Sequence, residues 1–159
     1  MNDVSWENVR TVLEEWISRV AESYKDRVPS ASGDLAQSIS GEVNVNGDSY
    51  LAVLNLSEAW KYIEYGRKPG KFPPVDAIKG WIQVKNIIPK PFTLPNGKQV
   101  IPTENQLAFL IGRKIAKDGI PAKPYLADTV NELREELFVK LSEALTKDIF
   151  YELDIAFKE

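Results

Sequence analysis

Apolar residues recur at spacings of three and four near both ends of the chain, and this period predicts two long helices. The first helix is predicted from about residue 4 to 27, and it ends there because Pro29 disfavours helical backbone in the residue before it. The second is predicted from near Pro124 to about residue 150. Beyond it the apolar residues alternate strictly, which fits a strand as well as a helix, so the state of residues 150–159 stays open.

Between these helices the pattern predicts one β-hairpin and a proline-rich segment with a tight turn. Runs that favour strands flank Asn46-Gly47, a turn sequence, and predict an antiparallel hairpin over about residues 42–56. Prolines rule out a helix over about residues 88–102, where Pro95-Asn96-Gly97-Lys98 predicts a tight turn. We expect this proline-rich stretch to project as a loop or arm.

Glycine and proline also mark the bounds of three short central helices. The first ends at Gly66, in left-handed backbone that glycine tolerates. The second opens after Pro73-Pro74, and the third runs from a capping box at Thr103 to Gly119. The sequence therefore predicts an α+β fold in a single domain, residues 1–159, with a long helix at each end, a small antiparallel sheet and central helices.

Composition narrows the class of protein without naming a function. The chain has 43% hydrophobic and 27% charged residues, which is ordinary for a globular domain. No run approaches the roughly 18 apolar residues that cross a bilayer, so no membrane association is expected. The chain contains neither cysteine nor histidine, which excludes thiol nucleophiles, Ser-His-Asp triads and zinc sites built from those residues.

A carboxylate metal site, or an enzyme that uses lysine, tyrosine or carboxylate groups, remains compatible with this composition. Nothing in the sequence selects a substrate for such an enzyme. We therefore expect no catalytic activity, no cofactor and no bound metal.

Charge is segregated along the chain. Residues 1–60 carry a net charge of −6, residues 61–123 carry +8 from 12 basic and 4 acidic groups, and residues 124–159 carry −5. One interpretation is that each end presents solvated helix faces. The other is that the basic middle of one copy meets the acidic helices of another, since opposed potentials set register and partner choice.

Two motifs flank the proline-rich middle, Tyr62–Arg67 and Gly119–Leu126. Both place glycine or proline where a helix must stop and a partner could dock. Glu64 is interpreted as a carboxylate that pairs with a basic group and fixes the following turn, with a catalytic role as the alternative. The loop at residues 67–72 is compatible with phosphate binding but lacks the Gly-Lys-Ser/Thr ending of a P-loop.

Docking of a protein is therefore the leading interpretation of this loop. Nucleic-acid binding through the basic segment 61–123 is the alternative, and it would require Trp60 and Trp81 to be exposed beside basic groups. The residues predicted to contact a partner or a second copy are Glu64, Arg67, Lys68, Lys71, Lys90, Lys98, Lys123 and Tyr125.

The order of these motifs resembles the tail-completion, or neck, family of tailed bacteriophages, whose members join head to tail. The stretches that carry the resemblance are Gly33–Ile39, Tyr62–Gly66, Pro69–Pro74, Ala108–Ile115 and Gly119–Leu126. The chain departs from the family pattern at three positions and in the arm. Arg67 stands where threonine is common, Lys123 replaces arginine, Tyr125 replaces phenylalanine, and the arm looks like an insertion.

This resemblance implies an α+β fold and a structural role in the virion, without catalysis. It implies a ring of copies, commonly sixfold, that is assembled in the host cytoplasm and lies between the head connector and the tail. The implied partners are copies of the chain itself, portal or adaptor connector proteins, and the tail terminator or tail tube. DNA would pass through the lumen of the ring without sequence-specific binding.

Overall fold

The computed structural model describes residues 6–29, 33–47 and 49–158. These residues form six helices and two small antiparallel sheets, so the predicted α+β fold class is confirmed. The contacts group into two compact units. One comprises Met1–Val28, Asp34–Glu58 and Pro124–Glu159, and the other comprises Pro29–Gly33 and Ala59–Lys123. The assignment of residues 1–159 to a single domain stays a prediction beside this division.

The first unit, called the acidic unit below, is built on two long antiparallel helices. Helix α1 spans Glu7–Arg27 and helix α6 spans Tyr125–Ala156. Their direction follows from their bonds, since Asn8 contacts Asp148 near the end of α6 and Arg27 pairs with Glu132 near its start. The predicted start of α1 at residue 4 lies outside the described residues.

A short helix and a hairpin complete this unit. Helix α2 spans Gly33–Ser38, and strands β1 (Ser40–Asn46) and β2 (Ser49–Asn55) pair from Ser40 opposite Asn55 to Asn46 opposite Ser49. The hairpin predicted over residues 42–56 is thus confirmed. Most of the buried core comes from α1, α2 and the segment after it, namely Ile17, Val20, Tyr24, Leu35 and Ile39, and α6 contributes Ala144.

Asp148 holds the first turn of α1 although it lies on the other helix. Its Oδ1 accepts from the backbone N–H of Asn8 at 3.2 Å and from the Asn8 side-chain amide at 2.6 Å, and its Oδ2 accepts from the Val9 N–H at 3.0 Å. The first N–H groups of a helix have no partner within the helix, and a carboxylate is favoured there by the helix dipole. Asp148 therefore caps α1 from 140 residues away in sequence.

Ion pairs along the outer edge of the two helices strengthen the same contact. Arg19 and Lys140 both pair with Glu136, and the hydrogen bond from Arg19, followed by that from Lys140, holds the pKa of Glu136 below its usual value. The Trp16 indole N–H donates to the carbonyl of Leu133 at 3.1 Å. These bonds fix the register in which α1 and α6 lie side by side.

Helix α6 answers the open question about the end of the chain for residues 150–158, and residue 159 lies outside the described residues. The helix continues to Ala156, beyond its predicted end at about residue 150, and a turn follows at residues 157–158. The strand alternative is wrong for residues 150–156. Alternation alone does not distinguish the two states. Residues two apart on a helix are about 200° apart, so alternating apolar residues also fit a helix that is apolar on several sides.

The second unit, called the basic unit below, consists mainly of three helices and an arm. Helix α3 spans Trp60–Glu64, α4 spans Val75–Val84 and α5 spans Glu104–Asp118. The α4 and α5 helices share an apolar core centred on Ile78, Ile82 and Ala108. The predicted capping box is confirmed, since Thr103 accepts from the Gln106 N–H and Gln106 accepts from the Thr103 N–H.

The predicted turn of the arm is also confirmed. Strands β3 (Phe92–Thr93) and β4 (Gln99–Val100) pair in an antiparallel manner around it. The Leu94 N–H donates to the carbonyl of Lys98 at 2.9 Å, and the Gly97 N–H donates back to the carbonyl of Leu94 at 2.9 Å. The arm is thus an ordered hairpin that starts and ends inside the basic unit.

Candidate interaction surface

The two sequence motifs meet in the folded chain. Arg67 and Ile120 form an antiparallel bridge in which each N–H donates to the other's carbonyl at 2.8 Å. The Lys123 N–H donates to the carbonyl of Ile63 at 2.8 Å, and the Gly70 N–H donates to that of Ala116 at 2.7 Å. This pairing, together with the loop residue Lys71 that Arg67 contacts, is called the clasp below and comprises residues 63–71 and 116–123.

Two glycines make the clasp sterically possible. Gly66 has φ of 66°, and a Cβ added there would lie 2.4 Å from the carbonyl oxygen of Ile120. Gly119 has φ of 74° and ψ of −163°, and its Cβ would lie 2.3 Å from the carbonyl oxygen of Arg67. The predicted left-handed stop at Gly66 is therefore confirmed. The glycines interpreted from the sequence as places for a partner hold the two motifs against each other within one chain.

The clasp displays most of the basic residues predicted for a partner contact. Lys68 and Lys71 are exposed on the loop that follows α3, and Lys123 is exposed at the other end of the pairing. Arg67 is half-buried, and its guanidinium donates to the carbonyl of Lys71 at 2.8 Å, which closes the loop on itself. Glu64 is only 6% exposed at the end of α3, so its carboxylate is turned away from solvent.

The other predicted contact residues lie elsewhere. Lys90 and Lys98 are exposed on the arm, one before β3 and the other in the turn. Tyr125 is the first residue of α6 and therefore belongs to the acidic unit, where it is half-buried. The structure brings Arg67, Lys68, Lys71 and Lys123 to the clasp, while the arm carries a separate basic pair.

The charge segregation of the sequence becomes sharper in three dimensions. The basic unit contains 12 basic and 4 acidic residues, a net charge of +8. The acidic unit contains 8 basic and 19 acidic residues, a net charge of −11, because α1 and α6 bring the two acidic ends of the chain together. The two acidic ends of the chain, which are far apart in sequence, thus belong to one compact unit.

The basic unit also carries two open apolar grooves that the sequence did not reveal. The larger, about 500 Å³, lies between the arm and α5 and is lined by apolar residues of both, including Phe92, Leu94, Val100 and Phe109. The smaller, about 330 Å³, lies between α4 and α5 beside Trp81. Phe109 is the residue that could have indicated the larger groove from the sequence, because it lies off the buried stripe of α5. It is 52% exposed in the structure.

The described ranges 6–29, 33–47 and 49–158 bring together no group of three or more acidic side chains that could hold a metal ion. In the same ranges, no helix is both long and apolar enough to span a membrane. Comparison of the chain with models of protein families, with curated proteins and with solved structures finds no match in any of the three.

Proposed function

We propose that this chain is a structural protein of a tailed-phage virion that joins the head to the tail as a subunit of an oligomeric ring. The observation that carries the proposal is the division into two compact units of opposite charge, +8 and −11. A ring of identical copies needs two different patches on each copy that complement each other. Opposite charges on separate units provide such a pair and disfavour association of like with like.

The clasp supports the same proposal. Several of the stretches that resemble the tail-completion family are held together by it, and it presents Lys68, Lys71 and Lys123 to solvent. In this proposal, the clasp and the arm contact a neighbouring copy, a portal or adaptor connector protein, or the tail terminator or tube. The ring lies in the virion, DNA passes through its lumen without sequence-specific contacts, and the chain performs no catalysis.

Reversing the charge of the clasp tests this function. We expect Arg67→Glu with Lys68→Glu to leave the protein folded and to abolish head–tail joining, because like charges then face the acidic partner. Joining is measured in phage that carry the variant, as infectious particles by plaque count and as free heads and tails by electron microscopy.

Arg113→Glu with Lys114→Glu is the matched control. It replaces a second Arg-Lys pair of the basic unit, which lies on α5 with both residues exposed, and it changes the net charge equally. This control should join heads to tails normally. Normal particles from the Arg67/Lys68 variant would contradict the proposed role of the clasp, and equal failure of both variants would show that only total charge matters.

A second candidate function is nucleic-acid binding by the basic unit. The observation that favours it is an exposed Trp81 on a unit of net charge +8. Trp60, the other ring that this function requires, is half-buried. Basic groups beside exposed aromatic rings bind single strands by stacking and by charge. This function predicts binding of a labelled oligonucleotide that weakens steeply with salt. Absence of a fluorescence polarisation change at low salt would exclude it.

A further inference from the structure

The last turns of α6 are apolar and exposed. Residues 149–157 carry six large apolar side chains with exposed fractions between 37% and 86%, namely Ile149, Phe150, Tyr151, Leu153, Ile155 and Phe157. They begin immediately after Asp148, which caps α1 and is 2% exposed. We call residues 149–158 the α6 tail.

We expect another protein surface to cover a helix with this composition. Apolar residues lie on all sides of the α6 tail, and helices that are apolar all round are normally buried. Contiguous apolar patches of this kind on a protein surface mark sites of association. The tail is also acidic on balance, because Glu152 and Asp154 outnumber Lys158 among residues 149–158.

The groove between the arm and α5 offers complementary chemistry. Its volume of about 500 Å³ falls in the range of pockets that enclose drug-sized molecules, so it has room for more than one side chain. Its walls are apolar, and Asn105 and Gln106 of α5 provide its polar edge. The exposed Lys90 and Lys98 stand in sequence on either side of the groove residues Phe92 and Leu94.

We infer that the α6 tail of one copy docks in the arm groove of a second copy. Burial of the tail's aromatic side chains would drive the contact, and the acidic tail facing the arm lysines would set its orientation. The donor and the acceptor are different surfaces, so each copy can give its tail to one neighbour and receive the tail of another. This inference rests on the self-association part of the proposed function and names the segment responsible for it.

Cysteines introduced into the tail and the groove test the contact. The chain contains no cysteine of its own, so no other thiol reacts with the cross-linker. One copy carries Lys158→Cys at the end of the tail, which keeps all six apolar side chains, and a second copy, lengthened by a tag, carries Asn105→Cys at the edge of the groove. We expect a short bis-maleimide to join the two copies into a product of mixed size. A copy with Ser142→Cys is the control, since Ser142 is exposed on α6 but lies before the tail.

Charge exchange tests the orientation with the same cysteines. Lys90→Glu with Lys98→Glu in the acceptor, or Glu152→Lys with Asp154→Lys in the donor, should each lower the yield of mixed product about tenfold. Combining the two changed copies should restore it, because opposite charges face each other again. A purely nonspecific hydrophobic contact would show neither the loss nor the recovery.

The outcomes separate this inference from the proposed function. Absence of mixed product at about 1 mM of each copy would overturn the docking of the tail, because the contact would then have a dissociation constant well above that concentration. Cross-linking only within a chain that carries both cysteines would also overturn it, because the tail would then cover its own groove. Either result leaves the test of head–tail joining by the Arg67/Lys68 variant unaffected.

Discussion

Gly119→Ala is expected to destabilise the basic unit by roughly 3–5 kcal/mol. The backbone of Gly119 has φ of 74° and ψ of −163°, a region open almost only to glycine, where other residues are strained by about 1–3 kcal/mol. The added Cβ would also lie 2.3 Å from the carbonyl oxygen of Arg67, which cannot move without breaking the clasp. Loss of the two hydrogen bonds between Arg67 and Ile120 adds about 1 kcal/mol each.

Hydrogen exchange gives the most direct measurement. The amides of Arg67 and Ile120 should exchange much faster in the variant, and urea should unfold the basic unit at a lower concentration. Gly80→Ala is the control within the same unit, because Gly80 lies in α4 with nothing within 4 Å of the added Cβ. It should stabilise the unit by about 0.5–1 kcal/mol. Unchanged amide protection in Gly119→Ala would mean that the clasp is not needed for folding.

Asp148→Ala is expected to destabilise the acidic unit by roughly 2–3 kcal/mol. The carboxylate is 2% exposed and accepts three hydrogen bonds from Asn8 and Val9. Its removal leaves the first N–H groups of α1 without their partner and takes away a favourable charge at the helix N-terminus. Urea unfolding, followed by the hydrogen exchange of the α1 amides, measures the loss.

Two further variants make this result specific. Asp154→Ala removes an exposed carboxylate of the same helix that pairs only locally with Lys158, and it should change stability by less than about 0.5 kcal/mol. Asp148→Asn keeps one acceptor oxygen and should therefore retain part of the stability. If Asp148→Ala unfolded at the same urea concentration as the unchanged protein, the capping role of Asp148 would be wrong.

Local signals in the sequence predicted the individual elements well. The apolar period predicted α1 and α6, and Gly66, Pro73-Pro74 and the Thr103 capping box predicted where the central helices begin or end. Each of these signals depends on a few neighbouring residues, so it can be recognised from the sequence alone. The strand alternative for the α6 tail failed because its apolar residues satisfy both periods.

The contacts that assemble the elements could not be predicted in the same way. The clasp consists of backbone hydrogen bonds, and nearly every residue has the same backbone groups. The sequence therefore indicated the positions of Gly66 and Gly119 but not which segment each one packs against. The cap on α1 comes from Asp148, and no short motif connects Asn8 with a carboxylate so far along the chain. The candidate basic residues were identified in advance, but their division between clasp and arm required the fold.

The clasp also makes residues 63–123 of the basic unit a segment whose two ends are adjacent. The carbonyl of Ile63 and the N–H of Lys123 lie 2.8 Å apart, so the chain leaves this unit close to where it enters. Segments with neighbouring ends are the ones that proteins tolerate as inserts and exchange between relatives. The segment between the two ends can therefore become longer or shorter, or change its charge, while the backbone of the acidic unit stays the same. A lineage could in this way acquire a new binding partner while its two-helix scaffold stays the same.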